Sequence, residues 1–204
     1  MGFISYEDVL EVMEFDPRFS NSMLTVKFCK ELKDNYPGYN EELERKLFYK
    51  ACSYGRIDTV KYFIKSSEFS QVALNAGLNN AVTKKEYKVA SYLLDCGADP
   101  SCSNSFPVKK AARDSQIKFL KKLKKMGFDL KFDEDCLLEC AAEYNVKWKL
   151  IEFLVASGLN NQKYLNMLLE NALIQDNVYM VNFLIDNGAT PDNCKHAYVK
   201  YIYR

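Results

Sequence analysis

Residues 87–100 have the sequence YKVASYLLDCGADP, and this stretch decides the fold of the chain. Val89 and Leu93 belong to an apolar run at the spacing that is typical of an amphipathic helix. Gly97 follows the run and can adopt the left-handed conformation that closes a helix, whereas Pro100 cannot continue one. The stretch therefore predicts one helix with a sharp stop.

The same pattern recurs at intervals of about 30 residues along most of the chain. Small residues recur at Ala51, Ala81, Ala111, Ala141 and Ala172. Their apolar partners, three positions earlier, are Phe48, Leu78, Val108, Leu138 and Leu169. The stops recur at Ser67, Gly97, Gly127, Gly158 and Gly188. This spacing predicts pairs of helices joined by a tight turn, and the pairs must stack because one pair cannot bury its own apolar face.

These motifs resemble the ankyrin repeat. Residues 93–99 and 184–190 look like its Leu-Leu-x-x-Gly-Ala-Asp segment, 51–55 like its Ala-Ala-x-x-Gly turn, and 106–112 like its Thr-Pro-Leu-His-x-Ala-Ala opening. The resemblance covers roughly 47–190 and implies an all-α solenoid of about five helix-turn-helix repeats. The period here is 30 or 31 residues, against about 33 in the family. The hairpin loops between repeats are therefore expected to be short or absent.

The resemblance and the flanking patterns predict the domain organisation. The expected repeats are about 43–70, 71–100, 101–130, 131–160 and 161–190. Residues 1–42 are expected to form an irregular helical N-terminal cap, and 191–204 a C-terminal capping half-repeat. The cap is predicted to hold one helix after the Ser5 and Asp8 capping box and a second with Leu24, Phe28 and Leu32 on one face.

Composition predicts a protein without a membrane span or a leader. The chain has 204 residues, 48% hydrophobic content and a net charge of +1, so no overall field attracts it to nucleic acid or membranes. No window approaches the roughly 18 apolar residues that a membrane span needs. The seven cysteines are spread over the chain, which suits free thiols in a reducing, cytoplasmic location.

No catalytic or metal-binding set is evident in the sequence. Cys136 and Cys140 lie four apart and would share a helix face, but zinc needs four ligands. The other candidate ligands are Cys194 and His196, two repeats away. Buried thiols are the favoured interpretation. With one histidine, no Gly-rich phosphate loop and no nucleophile motif, the sequence predicts a non-enzyme that needs no cofactor.

A basic run from 109 to 131 offers a second kind of function. It has nine basic residues against two aspartates, and such a patch attracts nucleic acid or an acidic protein surface. Its lysines are Lys109, Lys110, Lys118, Lys121, Lys122, Lys124, Lys125 and Lys131. Those of the central helix are distributed around it, however, and few aromatic residues are interleaved. A solvated helix face is the favoured alternative.

Trp148, the single tryptophan, is predicted to lie in or beside an inter-helix turn. Two interpretations remain open. Tryptophan is enriched among binding hot spots, so an exposed Trp148 between two lysines would anchor a partner. Alternatively, it folds back over Phe153 as a local cover.

The resemblance also implies a binding surface. Ankyrin proteins usually bind partners through the first helices and the loop just after the small residue. Transferred repeat by repeat, those positions are Ser53, Tyr54, Thr83, Lys84, Arg113, Asp114, Glu143, Tyr144, Ile174 and Gln175. Tyrosine and arginine give contact area at low entropic cost.

The main hypothesis from the sequence is therefore a protein-binding scaffold that blocks, tethers or recruits a macromolecular partner. Lys- and Asn-rich repeats of this shortened type resemble those of large DNA viruses and intracellular bacteria. That resemblance implies a host or defence protein as the partner. Nucleic-acid or acidic-surface binding through the basic run of 109–131 is the alternative.

Overall fold

The computed structural model describes residues 11, 23–142 and 147–191. Within these ranges the chain is all-helical and has no strand, which confirms the all-α part of the predicted fold class. The helices are α1 Val26–Asn35, α2 Glu41–Ser53, α3 Ile57–Ser66, α4 Gln71–Thr83, α5 Tyr87–Asp95, α6 Cys102–Arg113, α7 Ile117–Lys125, a 3₁₀ turn Leu130–Asp133, α8 Glu134–Ala142, α9 Trp148–Ala156, α10 Gln162–Ile174 and α11 Val178–Asp186. The chain divides into two compact units, 1–107 and 108–204.

Residues 87–100 contain α5, which ends as their sequence predicts. Gly97 has a φ of +93°. The amide of Ala98 donates to the carbonyl of Leu93 at 2.9 Å, and that of Gly97 to Leu94 at 3.0 Å. This is the glycine-terminated helix end expected where the last carbonyls must find partners outside the helix.

The periodic residues form the core of each unit. The five repeated alanines and their five apolar partners are all 0% exposed. In the first unit, α2 packs on α4, and the close approach needs Gly77: a Cβ there would lie 2.9 Å from the Phe48 ring and 3.2 Å from the sulfur of Cys52. In the second unit, α8 packs on α10, and α10 on α11.

The N-terminal helix α1 packs on α3, as the second helix of a preceding pair would. Its inward residues are Cys29 and Leu32. One expectation needs correction, since Leu24 lies before the helix, whose N-cap is Thr25. Leu24 is nevertheless fully buried, and its carbonyl accepts a hydrogen bond from the Thr59 hydroxyl at 2.9 Å. The predicted helix after Ser5 and the half-repeat after 191 lie outside the described residues.

The start of α6 departs from helical geometry. Ser103, Asn104 and Ser105 all have φ between 52° and 56°, a left-handed conformation that costs L-residues roughly 1–2 kcal/mol each. The Asn79 amide donates to the Ser103 hydroxyl at 2.8 Å and holds this turn against α4. The right-handed part of α6 follows and contains Pro107, whose fixed φ suits the first turn of a helix.

Candidate functional site

The predicted binding positions in the first unit lie in two matching turns. Tyr54 caps α2, and Lys84 caps α4. The residue that follows each cap has a left-handed φ, +68° at Gly55 and +63° at Lys85. A Cβ on Gly55 would meet the carboxylate of Glu86, so the two turns are neighbours. Their side chains can therefore contact a single partner.

These turns expose their side chains unequally. Thr83 and Lys84 are exposed, whereas Ser53 and Tyr54 are half-buried. The Thr83 hydroxyl donates to the carbonyl of Asn79 at 2.7 Å and is thereby committed to its own helix. Lys84 and the accessible part of Tyr54 are the side chains best placed to contact a partner in this unit.

In the second unit the turn after α6 contains an ion pair. The Lys110 ammonium lies 2.7 Å from the carboxylate of Asp114, and both side chains are mostly buried. The Lys147 ammonium donates to the carbonyl of Arg113 and joins this turn to the start of α9. Arg113 is exposed. Asp114 and Lys110 therefore hold the turn together, and Arg113 is the residue that faces solvent.

The turn after α10 also carries exposed predicted binding residues, Ile174 and Gln175. Ile174 is 70% exposed, and two further apolar side chains follow, Val178 at 53% and Tyr179 at 64%. Tyr179 stacks on Phe183, with ring centroids 6.4 Å apart. A hydrogen bond to the carboxylate of Glu152 raises the pKa of the Tyr179 hydroxyl. We call Ile174, Val178 and Tyr179 the terminal apolar cluster.

The sequence did not mark two members of this cluster, Val178 and Tyr179. The residue that begins each second helix is apolar in every repeat: Ile57, Tyr87, Ile117, Trp148 and Val178. All but Val178 are half-buried. The column therefore gave no sign that Val178 would be exposed.

Trp148 belongs to that column as the first residue of α9. It is half-buried. Within the described residues no ring contact joins Trp148 to Phe153, whose ring instead lies 6.0 Å from the ammonium of Lys121. Glu143 and Tyr144, the binding positions predicted just before Trp148, lie outside the described residues.

The basic run is concentrated on one helix. Phe119, Leu120 and Leu123 form the buried side of α7. Four lysines of the helix are exposed: Lys118, Lys121, Lys124 and Lys125. Lys109 and Lys122 are half-buried. The exposed four present a cationic surface on the second unit.

The described cysteines are free thiols. Burial raises the pKa of Cys29 to about 12 and also raises the pKa of Cys52. Cys140 is buried and Cys136 half-buried, and no group of three or more metal-ligating side chains occurs among the described residues. Cys194 and His196 lie outside them.

A charged cluster in the first unit was not predicted. One Glu44 oxygen lies 3.0 Å from the Lys33 ammonium and accepts from the Tyr39 hydroxyl at 2.8 Å. Burial opposes ionisation of Glu44, but contacts with Lys33, Ser67 and Tyr39 outweigh it and hold the pKa below its usual range. Burial, followed by the hydrogen bond to Glu44, raises the pKa of Tyr39. This cluster borders a pocket of about 540 Å³.

Comparison with known proteins returns no matching family model, curated protein or solved structure. Among the described helices, none has the length and apolar character required to cross a membrane.

Proposed function

We propose that the chain is a non-catalytic protein-binding scaffold, in which the helix pairs within each unit are arranged as in the ankyrin repeat. The observation that supports it best is the terminal apolar cluster, where an isoleucine, a valine and a tyrosine are all more than half exposed within six residues of chain. Large apolar side chains grouped on a surface favour contact with a partner. The matched turns of the first unit and the exposed Arg113 supply further contact positions.

The partner class follows from the resemblance to repeats of large DNA viruses and intracellular bacteria. We propose a host or defence protein, which the scaffold blocks, tethers or recruits. Free thiols in the described part of the chain favour a reducing, cytoplasmic location for this encounter.

We expect Ile174→Ala to weaken partner binding about tenfold, because full burial of an isoleucine side chain is worth about 1.5–3 kcal/mol and 1.4 kcal/mol is a factor of ten. The partner is first captured from the native cell type and identified by mass spectrometry. Its dissociation constant is then measured with purified proteins by calorimetry.

The control is Val72→Ala, because Val72 is 76% exposed on α4 and is not a predicted binding position. Tyr54→Ala and Arg113→Ala test the turn of each unit separately. The proposed surface would be refuted if Ile174→Ala, Tyr54→Ala and Arg113→Ala all kept their helicity and bound the partner with unchanged affinity.

Nucleic-acid binding is the second candidate, favoured by the four exposed lysines of α7. Binding through phosphate contacts weakens steeply as salt rises, with a logarithmic slope near −0.9 for each phosphate neutralised. We expect a slope of about −3 to −4 for a generic duplex if all four lysines contribute. Replacing these lysines by glutamine should flatten it, and an absence of binding at low salt would eliminate this function.

A further inference from the structure

Two side chains of α4 fasten the loop that follows α5. The Gln71 amide nitrogen donates to the carbonyl of Gly97 at 2.8 Å. The Asn75 side-chain oxygen accepts from the backbone amide of Asp99, also at 2.8 Å. The two side chains also bond each other at 3.0 Å. The donor Gln71 stands ten residues before Ala81, the repeated alanine of this repeat, and the acceptor Asn75 stands six before it. Together they join α4 to the loop.

The last pair repeats this arrangement in the same register. The Gln162 amide donates to the carbonyl of Gly188 at 2.8 Å, and the Asn166 oxygen accepts from the amide of Thr190 at 2.8 Å. Each interaction spans the same number of residues as its counterpart in α4. The second and fifth repeats therefore share this bridge.

The fourth repeat also has a donor at the first position and an acceptor at the second, but different residues supply them. Lys131, a donor, stands ten residues before Ala141 and lies over Gly158, where a Cβ would be 2.9 Å from its terminal carbon. Asp135, an acceptor, stands six before and accepts from the side-chain amide of Asn161 at 2.6 Å, whereas Asn75 and Asn166 accept from backbone amides. Three of the five repeats thus have a donor at the first position and an acceptor at the second, whereas the third repeat has Ser101 and Ser105 there.

The first repeat has an acceptor at the donor position and a donor at the acceptor position. Glu41 stands ten residues before Ala51, and Arg45 stands six before it. A carboxylate cannot donate to a carbonyl, and a guanidinium cannot accept from a backbone amide. Neither side chain can therefore make the bond its counterpart makes in α4, and both are exposed.

The corresponding loop of the first repeat does not receive these two bonds from α2. By register, Ser67 and Phe69 correspond to Gly97 and Asp99. Within the described residues, no hydrogen bond reaches the Ser67 carbonyl or the Phe69 amide. The Ser67 hydroxyl is buried and has no partner of ordinary geometry, although it lies near enough to Glu44 to help lower the pKa of that carboxyl.

A pocket of about 540 Å³ occupies this place. Its lining includes Glu41, Arg45, Ser67 and Phe69, and its volume lies within the range of ligand sites. The Phe69 ring stacks on Phe48 with centroids 4.3 Å apart. The loop is thereby anchored to the core, and its polar groups are held in place without the bridge.

We propose that this pocket binds a glutamine or asparagine side chain from an extended segment of a partner protein. A carboxamide offers what the loop lacks, an N–H donor for the Ser67 carbonyl and an oxygen acceptor for the Phe69 amide. The chain itself places carboxamides at the same register in α4 and α10. The pocket is also lined by the carboxylates of Glu41, Glu44 and Glu68 and by the cationic side chains of Lys33 and Arg45. These charged groups bind the polar backbone of that segment.

The test uses the full-length ¹⁵N-labelled protein and the blocked tripeptide acetyl-Ala-Gln-Ala-amide. We expect saturable chemical-shift changes at the amides of Ser67 and Phe69, with a dissociation constant on the order of 1 mM, appropriate to one side chain in a small pocket. The matched tripeptide with glutamate in place of glutamine should cause no saturable shift. Propionamide, the free carboxamide, should bind at least about tenfold more weakly because it lacks the backbone.

The decisive variant is Glu41→Gln/Arg45→Asn, which grafts the α4 pair onto α2. The grafted amides should occupy the pocket, weaken tripeptide binding about tenfold, and raise the melting temperature by roughly 2–4 °C. The reverse graft, Gln71→Glu/Asn75→Arg, should lower the melting temperature and create a second tripeptide site at Gly97 and Asp99.

Several outcomes would overturn the proposal. They are equal shifts from the glutamine and glutamate tripeptides, equal binding of propionamide and tripeptide, and unchanged tripeptide binding in the grafted variant. None of them concerns Ile174, Tyr54 or Arg113, so this site and the surface proposed above fail or stand separately.

Discussion

Replacement of Phe48 by alanine is expected to lower the free energy of unfolding by about 3–5 kcal/mol, as truncation of a fully buried phenylalanine does. Phe48 is 0% exposed. It stacks on Phe69 at 4.3 Å and meets Phe63 edge-on at 6.4 Å. Its loss therefore removes one ring from a cluster of three and leaves a cavity beside Gly77.

Urea unfolding followed by far-UV circular dichroism checks this expectation. Tryptophan fluorescence would report only the second unit, where Trp148 lies, whereas Phe48 belongs to the first. Val72→Ala is the control and should change stability by no more than about 0.5 kcal/mol. A loss below about 1 kcal/mol for Phe48→Ala would contradict the packing described here.

The double variant Gln71→Ala/Asn75→Ala is expected to lose about 2 kcal/mol, because it removes two hydrogen bonds to the loop after α5, each worth about 0.5–1.5 kcal/mol. The amide of Asp99, which donates to Asn75, should also exchange its hydrogen faster. Urea unfolding and hydrogen exchange measure the two effects.

The matched control is Glu41→Ala/Arg45→Ala, at the same two positions of α2. These side chains make no bond to their loop, so stability should stay within about 0.5 kcal/mol. An equal loss in the two double variants would show that the positions matter for helix formation and not for the loop.

The sequence alone predicted the helical class, the buried alanines and the end of α5. Val89, Leu93 and Gly97 sufficed for α5 because helix periodicity and termination are local properties of the chain. The burial of all five repeated alanines followed from their common register. The boundary of α1 was misplaced at Leu24, since an apolar residue before an N-cap can be as buried as one inside the helix.

The candidate sites were only partly predictable. Exposure of Ile174 follows from its place in a turn, but the ion pair that holds Asp114 depends on where Lys110 points. Val178 and Tyr179 were missed because apolar residues are ordinarily assigned to the core. Their exposure reflects what packs against α11, which the sequence of that helix does not encode.

By itself, the sequence determined which residues repeat and therefore which helices form and which faces are buried. Only the tertiary structure showed that Gln71 and Asn75 bond the loop at Gly97 and Asp99, residues about 25 positions away. Hydrogen bonds between separate elements depend on how those elements pack, and no local pattern records them. For that reason the reversal at Glu41 and Arg45 had no meaning in the sequence until the structure showed what their counterparts bind.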